Sequence, residues 1–289
     1  MPNFCAGLGL TFSFAAVILL VFAQISQINS DVIPRHLRLV HIDTSGLATA
    51  LSSAAKASPV PDLANANYSD IFSSQVVGDE YFVKKTDETL ATGVRKSYEW
   101  GLWSYCTTNG DEGDARSYCY TRSIHPLFQP AKVLLEDIPA QYSALLKDTL
   151  PENVFTADNY LGTYTQAATY CTMVGSLAVA LAALIGLFAR KGAFVLSSLL
   201  SIVAFLALAV GTIIYQVIFA RARVAINDAT TAGTDVGITL DYGNALWILW
   251  AATVLTLFSI LPLSIACCTG RKDVVVVAPP PPAMVSTRR

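Results

Sequence analysis

Four stretches of this 289-residue chain contain no Asp, Glu, Lys or Arg: residues 1–30, 159–189, 192–220 and 242–270. Few folds tolerate that pattern. A hydrocarbon layer about 30 Å thick is crossed by about 20 apolar residues rising 1.5 Å each. A helix satisfies its own backbone polar groups, each of which costs several kcal/mol if left unpaired in lipid. The sequence therefore predicts four spanning helices, at residues 6–27, 168–189, 194–220 and 245–267. Composition agrees: 53% hydrophobic and 14% charged residues, with a mean hydropathy of +0.49, exclude an ordinary soluble domain of this size. A net charge of -2 and the lack of any basic stripe exclude nucleic acid as a partner.

Basic residues near the span ends set the orientation. Arg190 and Lys191 join the second and third spans, and Arg271, Lys272, Arg288 and Arg289 follow the fourth. The loop between the third and fourth spans has only Arg221 and Arg223, against Asp228, Asp235 and Asp241. Both termini are thus expected in the cytoplasm. The predicted organisation is a first span within 1–30, an exoplasmic domain over 31–158, three spans over 159–270 with a short exoplasmic loop at 221–244, and a tail over 271–289. A cleaved leader ending at Val21-Phe22-Ala23 is the alternative for the first stretch. Its apolar core, Phe4 to Ala23, is longer than the 7 to 15 residues usual in leaders, and no basic residue precedes it.

The large loop carries 11 basic and 17 acidic residues and one glycosylation sequon, Asn67-Tyr68-Ser69. Residues 44–70, rich in Ala, Ser and Asn, read as helical at best and otherwise flexible. Strands are expected at 80–85, 94–106 and 116–122, where aromatic and β-branched residues cluster around the turn-rich TTNGDEGDA. From 131 to 149, Val133, Leu134, Ile138, Tyr142, Leu145 and Leu146 recur at helical spacing and predict one amphipathic helix.

Within the second strand segment the sequence reads SYEWGLWSYC, and Cys119 follows Cys106 by 13 positions. Two cysteines on an oxidising face, in strands joined by a short connection, are expected to form a disulfide. Trp100 and Trp103 belong to the same device: their rings bury area against the bridge or sit at headgroup level.

The run Gly101-Leu102-Trp103-Ser104-Tyr105-Cys106 followed by Cys119 resembles the signature of the claudin superfamily, as does the order of one span, a long loop and three close spans. The long loop and the WSYC form resemble more closely the fungal SUR/PalI family of plasma membrane tetraspans associated with eisosomes, which are furrow-like membrane compartments. The resemblance implies a claudin-like four-helix bundle with a partly β exoplasmic domain, in which Trp103, Cys106 and Cys119 carry a structural signature. It implies no catalytic residue and no cofactor. The function it implies is organisation of a membrane domain. A membrane sensor or adaptor for ambient pH, and a channel or channel regulator, are the alternatives.

Other candidate chemistry is sparse. His36, His41 and His125 read as solvent-exposed loop residues, and Asp111, Glu112 and Asp114 lack the spacing of an EF-hand. The spans contain no ionisable residue, unlike most proton or ion pathways. Ala182 with Gly186 and Ala207 with Gly211 are small residues four apart, suited to close helix packing. Cys267 and Cys268 border the membrane beside Arg271 and Lys272, where juxtamembrane cysteines are often palmitoylated, and Cys5 is a weaker candidate. Pro279 to Pro282 would form a polyproline II segment of the kind SH3 and WW grooves accept. Expected partners are membrane lipids, membrane or cortex proteins, and further copies of the chain.

Overall fold

The structure, a computed structural model, describes residues 2–27, 36–57, 68–72, 93–108, 117–120, 127–150, 154–188, 191–231 and 236–269. Four long helices, α1 (Pro2–Gln24), α5 (Asp158–Gly186), α6 (Lys191–Thr231) and α7 (Asn244–Thr269), are each long and apolar enough to cross a bilayer. They form a closed ring in which α1 packs between α5 and α7, and α6 packs between the same two helices on the other side. The ring is inverted relative to a soluble bundle. Leu177, Leu181, Leu199 and Leu206 point outward and are at least half exposed. The interior takes small and hydroxyl residues: Gly175, Ala178, Ala182, Thr172 and Ser201 are buried. Close backbone approach and interhelical hydrogen bonds hold helices together where lipid removes the hydrophobic drive. Gly186 lies against Leu10 of α1, and Gly211 lies against Thr172 of α5. Thr169 and Tyr215 hydroxyls are 2.7 Å apart, and Ser197 Oγ donates to the Ala182 carbonyl at 2.7 Å.

Beyond one end of the ring stands a five-stranded antiparallel sheet of β1 (Val40–Asp43), β2 (Ser97–Trp100), β3 (Tyr105–Thr108), β4 (Ser117–Cys119) and β5 (Thr239–Tyr242), in the order β4-β3-β2-β1-β5. Two of these strands, β1 and β5, lie outside the segments where strands are expected. β5 comes from the loop between α6 and α7 and pairs with β1, so the two loops on this side share one sheet. The segment 94–106, expected as one strand, is a hairpin that turns at Gly101–Ser104. The Gly101 amide donates to the Ser104 carbonyl at 2.9 Å. The expected strand at 80–85 lies outside the described residues.

Helix α2 (Leu47–Ala57) supplies the helical reading of that region. The single amphipathic helix expected at 131–149 is two, α3 (Pro130–Asp137) and α4 (Ala140–Thr149). Pro139 breaks it: Ile138 before it is extended, at φ -69° and ψ 142°, because the proline ring disfavours a helical predecessor. The third span, expected to end at Ala220, continues as helix to Thr231, giving α6 41 residues and a length of roughly 60 Å. Its outer turns bury Ala222, Ala225 and Ile226. There they help close a core in which Trp100 meets Phe128 edge-on at 5.2 Å and Phe128 meets Phe219 at 5.2 Å.

Candidate functional site at the exit of the first span

Register divides the sheet into two chemically different faces. Neighbours across strands share a face, and successive residues alternate. One row runs Asp241, His41, Glu99, Cys106 and Cys119. The next row runs Tyr242, Val40, Trp100 and Tyr105, and Tyr120 stacks on Tyr105 at 4.3 Å. Cys106 and Cys119 are directly opposed and joined (S–S 2.01 Å). Trp100, expected beside the bridge, lies on the opposite face, because it is one residue out of phase with the cysteine row. It is 3% exposed among aromatic rings, and its indole nitrogen has no hydrogen-bond partner among the described residues. Trp103 is partly buried against the same core.

The bridge face meets the end of α1. Helix α1 stops at Gln24, and the turn that follows leads to Gln27, whose φ of 52° is the left-handed conformation that often ends a helix, usually at glycine. Ser26 and Gln27 are fully buried. Around them folds the loop Gly101–Ser104. The Leu102 amide donates to Ser26 Oγ at 3.3 Å, and Ser104 Oγ donates to the Gln27 carbonyl, which also lies 3.7 Å from Cys106 Sγ. A Cβ on Gly101 would collide with the Ser26 carbonyl and stand 2.7 Å from Gln27 Cβ. Only glycine leaves room for this approach.

The Gln27 side chain continues the joint. Its amide nitrogen donates to Glu99 Oε2 at 3.1 Å and to the Leu37 carbonyl at 3.3 Å. The other Glu99 oxygen takes the Arg38 guanidinium and lies 3.4 Å from His41 Nδ1. Burial would raise the Glu99 carboxyl, but the hydrogen bond from His41 and the charge and hydrogen bond of Arg38 outweigh it and hold the carboxyl below its ordinary range. His41, expected in a solvent-exposed loop, instead sits on β1 with its side chain 18% exposed.

Gly101, Leu102 and the two cysteines therefore converge on the exit of α1, Trp100 anchors the opposite face, and Ser26, Gln27, Arg38 and Glu99 complete the joint. The last four carry no motif; the one hint is a Ser and a Gln following the apolar run. Asn67 and Pro279 to Pro282 lie outside the described residues, as do His125, Asp111, Glu112 and Asp114. Cys267 and Cys268 fall in the last turn of α7. Among the described residues no three His, Cys, Asp or Glu side chains gather as a metal site would require.

The sequence of elements, the hairpin signature and the joined cysteines agree with one family. A family model described as SUR7/PalI matches residues 5–259. The chain belongs to the SUR7/PalI family. A comparison with curated proteins gives no match. Membership and the four apolar helices make this SUR7/PalI protein a multi-pass membrane protein of claudin-like, four-span architecture.

Proposed function

We propose that this SUR7/PalI protein organises a plasma-membrane domain of the eisosome type, acting as a scaffold and turning over no substrate. The observation that supports it is the seat under Gly101. One loop fixes the exit of α1 against a sheet that also takes a strand from between α6 and α7. The outer ends of these spans are tied into one cap, which gives the bundle a constant outline to present to lipids, membrane or cortex proteins and further copies. The sheet faces outward and both termini lie in the cytoplasm, a reading supported by the basic residues at 190–191 and 271–272. Acylation of Cys267 and Cys268 would add anchorage on that inner side, and Asn67 would be glycosylated on the other. Imaging of a fluorescently tagged copy in living cells tests the reading. Stable cortical patches are expected. Recruitment only after an alkaline shift would replace it with the sensor, and altered cation influx on deletion without patches would replace it with the channel regulator.

A further inference from the structure

Helix α6 carries a cation at each end of its charge-free stretch: Lys191 precedes residues 192–220, and Arg221 follows them. From Lys191 to Arg221 the helix rises about 45 Å, or about 42 Å at the roughly 20° tilt usual for spanning helices. A bilayer measured across both headgroup layers is about 40–45 Å thick. The two cations are thus spaced as its two polar layers are.

Arg221 also faces the lipid. Val203, Leu206, Val210, Ile213 and Val217, three or four apart, are exposed along one side of α6, and Arg221 continues that stripe and is itself exposed. It stands about 6 Å past Val217, within a headgroup layer about 5–7 Å deep. Beyond it the stripe turns polar at Asn227 and Asp228, after one exposed aliphatic residue, Val224.

Among the described residues no carboxylate pairs with Arg221. Its guanidinium donates to the Tyr160 hydroxyl at 3.0 Å, which leaves most of its donors for another acceptor. Arg223 differs: it lies 3.4 Å from Asp241 and over the Tyr242 ring. Tyr160 packs on Tyr164 at 4.7 Å, and Tyr164, one turn nearer the bilayer, is 46% exposed, at a depth where tyrosine is enriched. Asp158 stands farther out along α5 than Tyr160, and Glu136 has Lys132 at 4.0 Å, so a headgroup rising from the bilayer meets Arg221 first.

We propose that Arg221 binds the phosphate of an anionic phospholipid in the leaflet on the sheet side. The fork of the guanidinium suits a phosphate, Tyr160 holds it in place, and Tyr164 lies against the same lipid. A zwitterionic headgroup brings its own cation and answers the charge less well. The inference rests on the four spans, and it names a lipid that the outline proposed above would meet.

The full chain, purified in detergent, is titrated with phosphatidylglycerol or phosphatidylcholine, and bound lipids are counted by native mass spectrometry. One phosphatidylglycerol adduct is expected to be held roughly tenfold more tightly than phosphatidylcholine. Arg221→Gln should weaken it roughly tenfold or more, and Arg221→Lys, which keeps the charge but not the fork, should weaken it less. Arg223→Gln should leave it unchanged. Thermal unfolding of both Arg221 variants in lipid-free detergent should match that of the wild type. Absence of the preference overturns the proposal, as does an adduct that Arg221→Gln preserves or that Arg223→Gln weakens equally. Displacement by inorganic phosphate would assign Arg221 to a soluble anion, and loss of a dimer from lipid-free Arg221→Gln would assign it to a carboxylate of a second copy. Either result replaces the lipid. Because the assay uses no cells, its failure leaves the scaffold reading to be judged by imaging alone.

Discussion

Replacing Gly101 with alanine adds one methyl group where the carbonyl of Ser26 and the Cβ of Gln27 already stand. Neither neighbour can yield cheaply. The carbonyl belongs to the turn that ends α1, and Gln27 is held by Glu99, Leu37 and Ser104. Relief requires the loop to lift, which stretches the Leu102 to Ser26 and Ser104 to Gln27 hydrogen bonds. Overpacking a filled site costs about 1–3 kcal/mol, and each hydrogen bond contributes about 1 kcal/mol net. Against this stands a gain of about 0.4–1 kcal/mol, because alanine restricts the unfolded chain. With both hydrogen bonds lost, the balance is a loss of about 2–4.6 kcal/mol. Gly7→Ala is the control: a Cβ there meets nothing within 4 Å, so it should be neutral or slightly stabilising. Equilibrium unfolding of the purified chains in detergent, followed by tryptophan fluorescence, reads both. A Gly101→Ala variant within about 0.5 kcal/mol of wild type would refute a tightly filled seat, since ordinary surface changes fall in that range.

Cys106→Ser should cost about 2–5 kcal/mol, and neither Cys106 nor Cys119 of the wild type should react with a thiol reagent under denaturing, non-reducing conditions. Ready labelling of both would show free thiols. Glu99 titrates below its ordinary value in the folded chain, so its contribution is present at neutral pH and is lost as pH falls through the range below about 4.5. Glu99→Gln should flatten that acid-side slope in thermal stability, and an unchanged slope would remove Glu99 as its source. Because Ala16, Leu20 and Ala23 of α1 are buried in the bundle and Leu10 fills the space at Gly186, α1 should remain attached in the mature protein. Mass spectrometry showing a new N-terminus immediately after Ala23 would contradict this.

The spans were legible because exclusion of charge from hydrocarbon is a property of each residue taken alone. Where structure depended on pairing, the sequence was less informative. Arg221 ends the charge-free run and suggested the end of a helix, yet Ile218, Ala222, Ala225 and Ile226 continue a buried stripe at helical spacing beyond it. A helix that leaves the membrane while keeping one face packed reads as a loop when only charge is followed. Trp100 stands close to Cys106 in sequence, but the two-residue period of a strand puts it on the other face once the hairpin turn is known. Gln27 and Glu99 lie 72 positions apart, and nothing local in either stretch announces the other. Pro139 was visible, and its effect on Ile138 followed from proline geometry alone.

The partnership of β1 with β5 also sets a timetable. Strands β1 to β4 are complete once Cys119 has left the ribosome, but the free edge of β1 waits for Thr239–Tyr242, about 120 residues later. At roughly 5–20 residues per second that is about 6–24 s, during which two further spans must insert. Throughout that interval the backbone groups of β1 that β5 will pair are unmatched, and an open strand edge is a template for the wrong neighbour. Newly made copies crowded at one translocation site are thus most prone to join each other before the last loop arrives. With the sheet facing outward as proposed above, a chaperone on the far side of the membrane would do most good at that moment, and a chain truncated after α6 would never pass it.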